Sequence, residues 1–383
     1  MSFIPSQREL FDIPDHIAYF NCAYYSPLLK ESIKKLHDGV ESKMHPWNRF
    51  PNHFFDDSET IRQLASELIG GDSDGYAIIP SVSYGISTAA RILEKHLKEQ
   101  DQLLLMDEEF PSVVYPLTRI ACETGTGVIT VTTPYQCDWT NAILEHMDDG
   151  VKVVALSSCH WTNGANIDLV KIREACNKHN SILIIDATQS LGAIPFSISE
   201  VQPDFLVAAG YKWMLTPYGF TLMYVDKKWR DERPLEENWQ SRENAEDFAG
   251  LVNYCDDHKA GARRYDMGEK GIPTILPGAI EAFQQLKNWG INNIAETLQQ
   301  INSQIIDKLE PLGFEFLPEK CRCPHMIGAE IPRRFKGNLV DKLKLDNIFI
   351  SQRGDSVRFA PHLYVNDSDI NKLVEGFNTA LNS

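Results

Sequence analysis

The chain has 383 residues, 43% hydrophobic and 23% charged, which supports a sizeable core and suits one large domain plus a smaller one. Its net charge of −16 argues against a nucleic-acid binder, which needs a basic face, although a local anion site can still oppose the global sign. The longest apolar runs are strand-length, well short of the ~20 residues of a membrane helix; the first ten residues show no secretory pattern, and eight cysteines without regular spacing read as reduced cytosolic thiols.

Residues 1–20 read as an N-terminal arm that packs across one of the domains. Strands are predicted at Tyr76–Ile79, Gln102–Met106, Gly127–Val131, Val151–Leu156, Ile182–Asp186, Asp204–Ala208 and Phe220–Val225, with helices between several of them. Ile86, Ala89, Ala90, Leu93 and Leu97 share one helical face, and Leu169–Asn180 makes another helix. This alternation is the pattern of an α/β protein with a mostly parallel, seven-stranded sheet. Residues 226–270 are polar and predict a connection with exposed loops. Helical periodicity returns at Ile280–Leu286 and Ile291–Leu309. Short strands follow at Met326–Ile331, Phe349–Ser351 and Ser356–Phe359, then a closing helix, Asp367–Leu381. The expected organisation is an arm over 1–20, a large α/β domain over 21–250 and a smaller C-terminal α+β domain over 251–383.

The chemistry concentrates in residues 182–219. One apolar strand ends in Asp186, with Gln189 in the following turn; a second ends near Gly210, with Lys212 just beyond. Strand ends of a parallel sheet open onto the crevice where α/β proteins bind ligands. Two strands thus deliver a carboxylate and an amine to one edge. A salt bridge capping the sheet is the plain alternative; glycines at 210 and 219 and aromatics at 211, 213 and 218 weigh against it.

Asp186, Gln189, the Tyr211-Lys212 pair and Gly219, in that spacing, resemble the class V aminotransferase superfamily of pyridoxal-phosphate (PLP) enzymes, fold type I, within its kynureninase, isopenicillin-N-epimerase-like and cysteine-desulfurase-like group. The resemblance runs from Tyr19 to Arg358. It implies that Lys212 forms a Schiff base with the cofactor aldehyde, that Asp186 faces the pyridine nitrogen, and that Gln189 donates to the phenolate oxygen. It also implies that the Val82 N–H and Ser83 hold the phosphate at a helix start, where free N–H groups suit a dianion. Ser83 as a simple N-cap is the bland alternative and is compatible with that role. Tyr211 stands where a tyrosine can hydrogen-bond the phosphate, whereas Ala209 replaces a phosphate-binding Ser of several relatives.

Phe110, in Glu109-Phe110-Pro111-Ser112, matches a ring-stacking position, and Trp161 or His160 lines the pocket by the same comparison. Arg358 stands at the position that clamps the substrate α-carboxylate; Arg353 competes for that role but reads more simply as an exposed charge beside Gly354. Glu269 departs from a Gly-Thr that in relatives reaches the partner's phosphate. A homodimer, with Trp47–Phe55 and the loops of 226–270 at the contact, is implied by the resemblance.

The reaction expected is aminotransferase-like, on an amino acid; the alternatives are a kynureninase-like or C–S lyase, or an epimerase. Desulfurase chemistry is disfavoured because no cysteine lies between Asp346 and Arg358; Cys321 and Cys323 precede that segment and read as buried thiols. A PLP-fold protein without catalysis would be expected to lack Lys212 or Asp186, and both are present. No Walker A loop, Gly-x-Gly-x-x-Gly, Gly-x-Ser-x-Gly or paired metal-binding motif supports another enzyme class.

Overall fold

The computed structural model describes residues 3–332, 335, 338–354 and 356–382; Met1 and Ser2 of the arm, and Asp355 of the C-terminal pattern, lie outside the described residues. Seven strands form the main sheet: β1 (Tyr76–Ile79), β2 (Gln102–Met106), β3 (Gly127–Val131), β4 (Val151–Ser157), β5 (Ile182–Asp186), β6 (Phe205–Ala209) and β7 (Thr221–Val225), in the order β1-β7-β6-β5-β4-β2-β3. All pairs are parallel except those of β7, which runs antiparallel to both β1 and β6. Every residue of β1, β5, β6 and β7 is buried, so these strands read as continuous apolar runs rather than alternating ones. Alternate side chains still part to two faces. Ile78, Leu156, Ile185 and Leu206 join one core, and Ile79, Ala155, Ile184 and Val207 the other.

Helices cover the sheet and lie beside it: α1 (Lys30–Glu41), α2 (Asp56–Ile69), α3 (Val82–Leu93), α4 (Pro111–Thr124), α5 (Leu169–His179), α6 (Leu276–Trp289), α7 (Ile291–Leu309) and α8 (Asp367–Asn382). Among the described residues no helix is long and apolar enough to cross a membrane. The α3 helix begins four residues earlier than the Ile86 periodicity predicts, because Ser81 caps it, its Oγ accepting from the Tyr84 N–H at 3.2 Å. Both α1 and α2 pack on α6 and were not anticipated, their faces being mostly polar.

A second, antiparallel sheet has the order β10-β11-β9-β8, from β8 (Glu315–Phe316), β9 (Ile327–Glu330), β10 (Ser351–Arg353) and β11 (Ser356–Phe359). The N-terminal segment lies against this C-terminal part. Ala18–Tyr19 pairs in parallel with Ile348–Phe349, and the Gln7 N–H donates to the Leu363 carbonyl at 2.7 Å.

The polar stretch 226–270 is not wholly an exposed connection. Tyr265 and Asp266 are buried against β1, the outer strand of the sheet. The Met267 N–H donates to the Ile78 carbonyl, and Asp266 Oδ1 accepts from the Ile78 N–H, both at 2.9 Å. Asp266 is paired in turn with Arg62 of α2 at 2.5 Å, neither side chain being exposed, and Arg62 also donates to the Tyr76 carbonyl. This pair seals the strand edge from which the chain enters the α3 N-terminus. Arg62→Met would leave the Asp266 carboxylate buried with only Lys270 beside it at 3.4 Å. A loss of about 3–5 kcal/mol in equilibrium denaturation is expected; an unchanged denaturation midpoint would contradict this role for the pair.

Candidate active site

The carboxyl ends of β1, β4, β5 and β6 open on one edge, and a cleft of about 230 Å3 sits there. Its lining includes Val82, Ser83, Phe110, Trp161, Asp186, Gln189, Tyr211 and Lys212, eight of the nine residues singled out from the sequence. Arg358, the ninth, is buried behind Trp161, to whose carbonyl its Nη1 donates.

Lys212 rides the turn between β6 and β7. Gly210 must be glycine, because a Cβ there would meet the Thr216 hydroxyl at 2.0 Å; the turn closes with Thr216 N–H to Gly210 carbonyl at 3.1 Å. The Lys212 amine lies 5.6 Å from the ring centres of both Phe110 and Tyr211, and among the described residues no carboxylate comes within salt-bridge distance of it. Burial lowers its pKa to about 8; the Asp186 charge opposes this, and those of Arg358 and Arg353 add to it.

Asp186 ends β5, beside Ser157 in the sheet register. Burial pushes its carboxyl above the ordinary value, against the Thr188 hydrogen bonds and the Lys212 charge. The Thr188 N–H donates to Asp186 Oδ1 at 2.9 Å, while the Thr188 hydroxyl accepts from the Ala209 N–H at 3.0 Å and so ties β6 to this turn. Gln189 donates to the Ala23 carbonyl at 3.1 Å and accepts from Trp213 Nε1 at 2.9 Å, which leaves one amide hydrogen for a ligand.

At the other end of the cleft is the α3 N-terminus. Because Ser81 is the cap, Ser83 is not, and its exposed hydroxyl shares only a 2.9 Å contact with Ser81 Oγ. The Val82 and Ser83 N–H groups belong to the first turn, which has no intrahelical acceptors, so this end suits an anion. Of the two residues weighed at 160–161, Trp161 lines the cleft. His160 is committed elsewhere: it stacks on Trp139 at 4.8 Å, with Nδ1 on the Thr162 hydroxyl at 2.8 Å.

Two contributors are not singled out by the sequence, and a third, Arg353, is weighed there only as a competing carboxylate clamp. Glu109 is buried, accepts from the Ser157 N–H at 2.8 Å and the Phe110 N–H at 2.7 Å, and is raised by burial to about 7. Its place directly before Phe110 was the available signal. Thr188, between Asp186 and Gln189, was equally visible. Arg353 is half-buried, its guanidinium 5.5 Å from the Trp161 ring centre, rather than free in solvent beside Gly354.

An amine of depressed pKa, a buried carboxylate and an open helix N-terminus in one cleft are the donor set that a phosphorylated aldehyde with a ring nitrogen requires, and the buried Arg358 Nη2 has no hydrogen-bond partner among the described residues. The molecule is a fold type I enzyme whose cofactor is PLP. The family model described as aminotransferase class-V matches residues 30–367, and the chain belongs to that family. It is 23% identical to the uncharacterized aminotransferase YcbU of Bacillus subtilis, over 98% of each chain. It is 24% identical to the kynureninase of Geobacillus thermodenitrificans, covering 79% of this chain and 72% of that one. A solved structure of a C-DES point mutant, with glycine covalently linked to its PLP cofactor, has a TM-score of 0.87 at 19% identity, covering 97% of this chain and 98% of that one; another C-DES structure names it a cystine C–S lyase.

These findings correct the aminotransferase-like expectation. The similar proteins include kynureninases, C–S lyases and desulfurases, whereas the two named aminotransferases among them are both uncharacterized. The sequence could not separate them, since the shared motif residues serve the cofactor, not the choice of bond.

In cofactor-free protein, labelling of Lys212 by an amine reagent should rise with pH through about 8, where the amine loses its proton, rather than near the ordinary 10.5. Peptide-resolved labelling across the neutral-to-alkaline range measures this, and an inflection near the ordinary value would contradict the buried setting.

Proposed function

We propose that the protein is a PLP-dependent lyase that cleaves a C–S or C–C bond at the β-carbon of an amino acid. The observation that carries it is the unpaired, low-pKa Lys212 amine facing Asp186 across one cleft, in a chain similar over most of its length to kynureninases. PLP supplies an aldehyde for that amine and a ring that takes up the electron pair released at the substrate Cα. Asp186 holds the ring nitrogen's proton, a role that suits a buried carboxylate with no other cation in contact. Val82, Ser83 and Tyr211 bind the phosphate, Phe110 packs against the ring, and Gln189 donates its free amide hydrogen to the phenolate oxygen.

Lys212 Nζ takes the Cα proton; its depressed pKa keeps a usable fraction of free base near neutrality. Arg358 binds the α-carboxylate through Nη2, while its Nη1 stays on the Trp161 carbonyl. Trp161 walls the cleft between that arginine and the ring site. No thiol lines the cleft and none lies between Asp346 and Arg358, which favours release of the leaving group into solution over its capture on a cysteine.

A homodimer belongs to this proposal, supported by the exposed Met44, Trp47 and Phe50 on one short stretch. So does a cytoplasmic location, supported by eight cysteines that are all unpaired.

Turnover of β-substituted amino acids should need no 2-oxo acid acceptor. In the same assay Asp186→Ala should keep cofactor yet lower kcat by about two to three orders of magnitude, with little change in KM. Activity that appears only with an added 2-oxo acid, or an Asp186→Ala protein of near-native turnover, would overturn the proposal.

A further inference from the structure

We propose that Arg353 is a second anion-reading residue of the cleft, and that the substrate is an amino acid whose side chain carries its own negative charge. This deepens the lyase reading and rests on it for the reaction, though not for the binding.

The small sheet sets the geometry. Arg358 on β11 stands directly opposite Ser351 on β10, and its Nε donates to the Ser351 hydroxyl at 3.2 Å. Arg353 lies two residues beyond Ser351 on the same strand, so the pleat sends it to the same face. Neither arginine lines the cleft itself, but both adjoin Trp161, which does. The Trp161 carbonyl holds Arg358, its indole lies under the Arg353 guanidinium at 5.5 Å, and the same indole meets Phe110 edge-on at 5.5 Å.

Arg353 is prepared for a ligand and answered by none. Its one hydrogen bond among the described residues runs from Nη1 to the neighbouring Gln352 carbonyl at 2.7 Å, and no carboxylate among them forms a salt bridge with it. Among the other half-buried or buried arginines, Arg62, Arg173, Arg230 and Arg263 each hold a carboxylate at 2.5–3.0 Å, while Arg49 and Arg322 donate to backbone carbonyls distant from their own peptide, at 3.0 and 2.7 Å. A guanidinium drawn partly out of water and left unpaired is costly unless something else completes it. Its charge lowers the proton affinity of both Lys212 and Arg358, so it belongs to the same electrostatic site.

Charge balance then identifies the ligand. The substrate α-carboxylate neutralises one arginine. The α3 N-terminus, with Val82 and Ser83, would hold the cofactor phosphate. One guanidinium is then left over the Trp161 indole, near the exposed phenol of Tyr24. The planar fork of an arginine matches a second carboxylate or a sulfinate, presented on the substrate side chain.

The test is calorimetric titration of PLP-loaded protein with glutarate and with valerate, five-carbon acids that differ in the second carboxylate. Wild type should bind glutarate about 10- to 100-fold more tightly. Arg353→Gln should abolish that preference and leave valerate affinity unchanged, while Arg353→Lys should keep part of it. Equal weakening of both acids in Arg353→Gln would mean that Arg353 reads the α-carboxylate instead; that result, or a wild type without preference, overturns the inference. If the glutarate preference holds and vanishes in Arg353→Gln, yet cysteine sulfinate and S-methylcysteine both give no acceptor-free product, the binding inference stands and the lyase reading alone fails.

Discussion

Two opposite charges are buried at one sheet edge without touching. Asp186 ends β5 and Lys212 sits on the turn after the neighbouring β6, near enough for each to feel the other, yet no salt bridge joins them. Desolvation drives each toward its neutral form, the carboxyl upward and the amine down to about 8. A direct pair would relieve both groups and fill the cleft. The architecture prevents it: Thr188 anchors the carboxylate to its own turn, and the Gly210 turn sets the lysine beside Phe110 and Tyr211. A cofactor with an aldehyde at one position and a basic ring nitrogen at another satisfies both groups at once. The cost of keeping them apart is borne by the surrounding core, in which the strands that carry them are completely buried.

Much of this was legible in the sequence, for a physical reason. The strands β5 and β6 are apolar on both faces, so each stands out as a short run bounded by polar turns, and their ends point directly at Asp186 and Lys212. What stayed hidden depends on neighbours distant in sequence. The helices α1 and α2 have narrow apolar faces, legible only against α6. Asp266 sits in a polar stretch and is buried only because Arg62 reaches it from α2. Arg353 reads as a surface charge until the β10–β11 register places it on the same face as Arg358. Ser83 reads as an N-cap in the sequence, and the observed capping by Ser81 is what leaves Ser83 open to a ligand.

The charge distribution explains how an acidic protein serves anionic ligands. With a net charge of −16, the bulk surface offers an anion no general attraction. The cleft reverses the sign locally: Lys212, Arg353 and Arg358 outnumber Asp186, and Glu109, raised to about 7, carries only a partial charge near neutrality. The helix N-terminus adds its dipole. On the proposed reading, anions would be held by a few desolvated groups at fixed positions, where selectivity comes from geometry.

The central claim is that the lone amine at Lys212 carries the cofactor. Borohydride reduction of the PLP-loaded protein, followed by peptide mass mapping, tests it most directly. The account predicts one stable cofactor adduct, on the peptide containing Lys212, and loss of activity in step with its formation. An adduct on Lys227 or Lys228, or none at all, would contradict it.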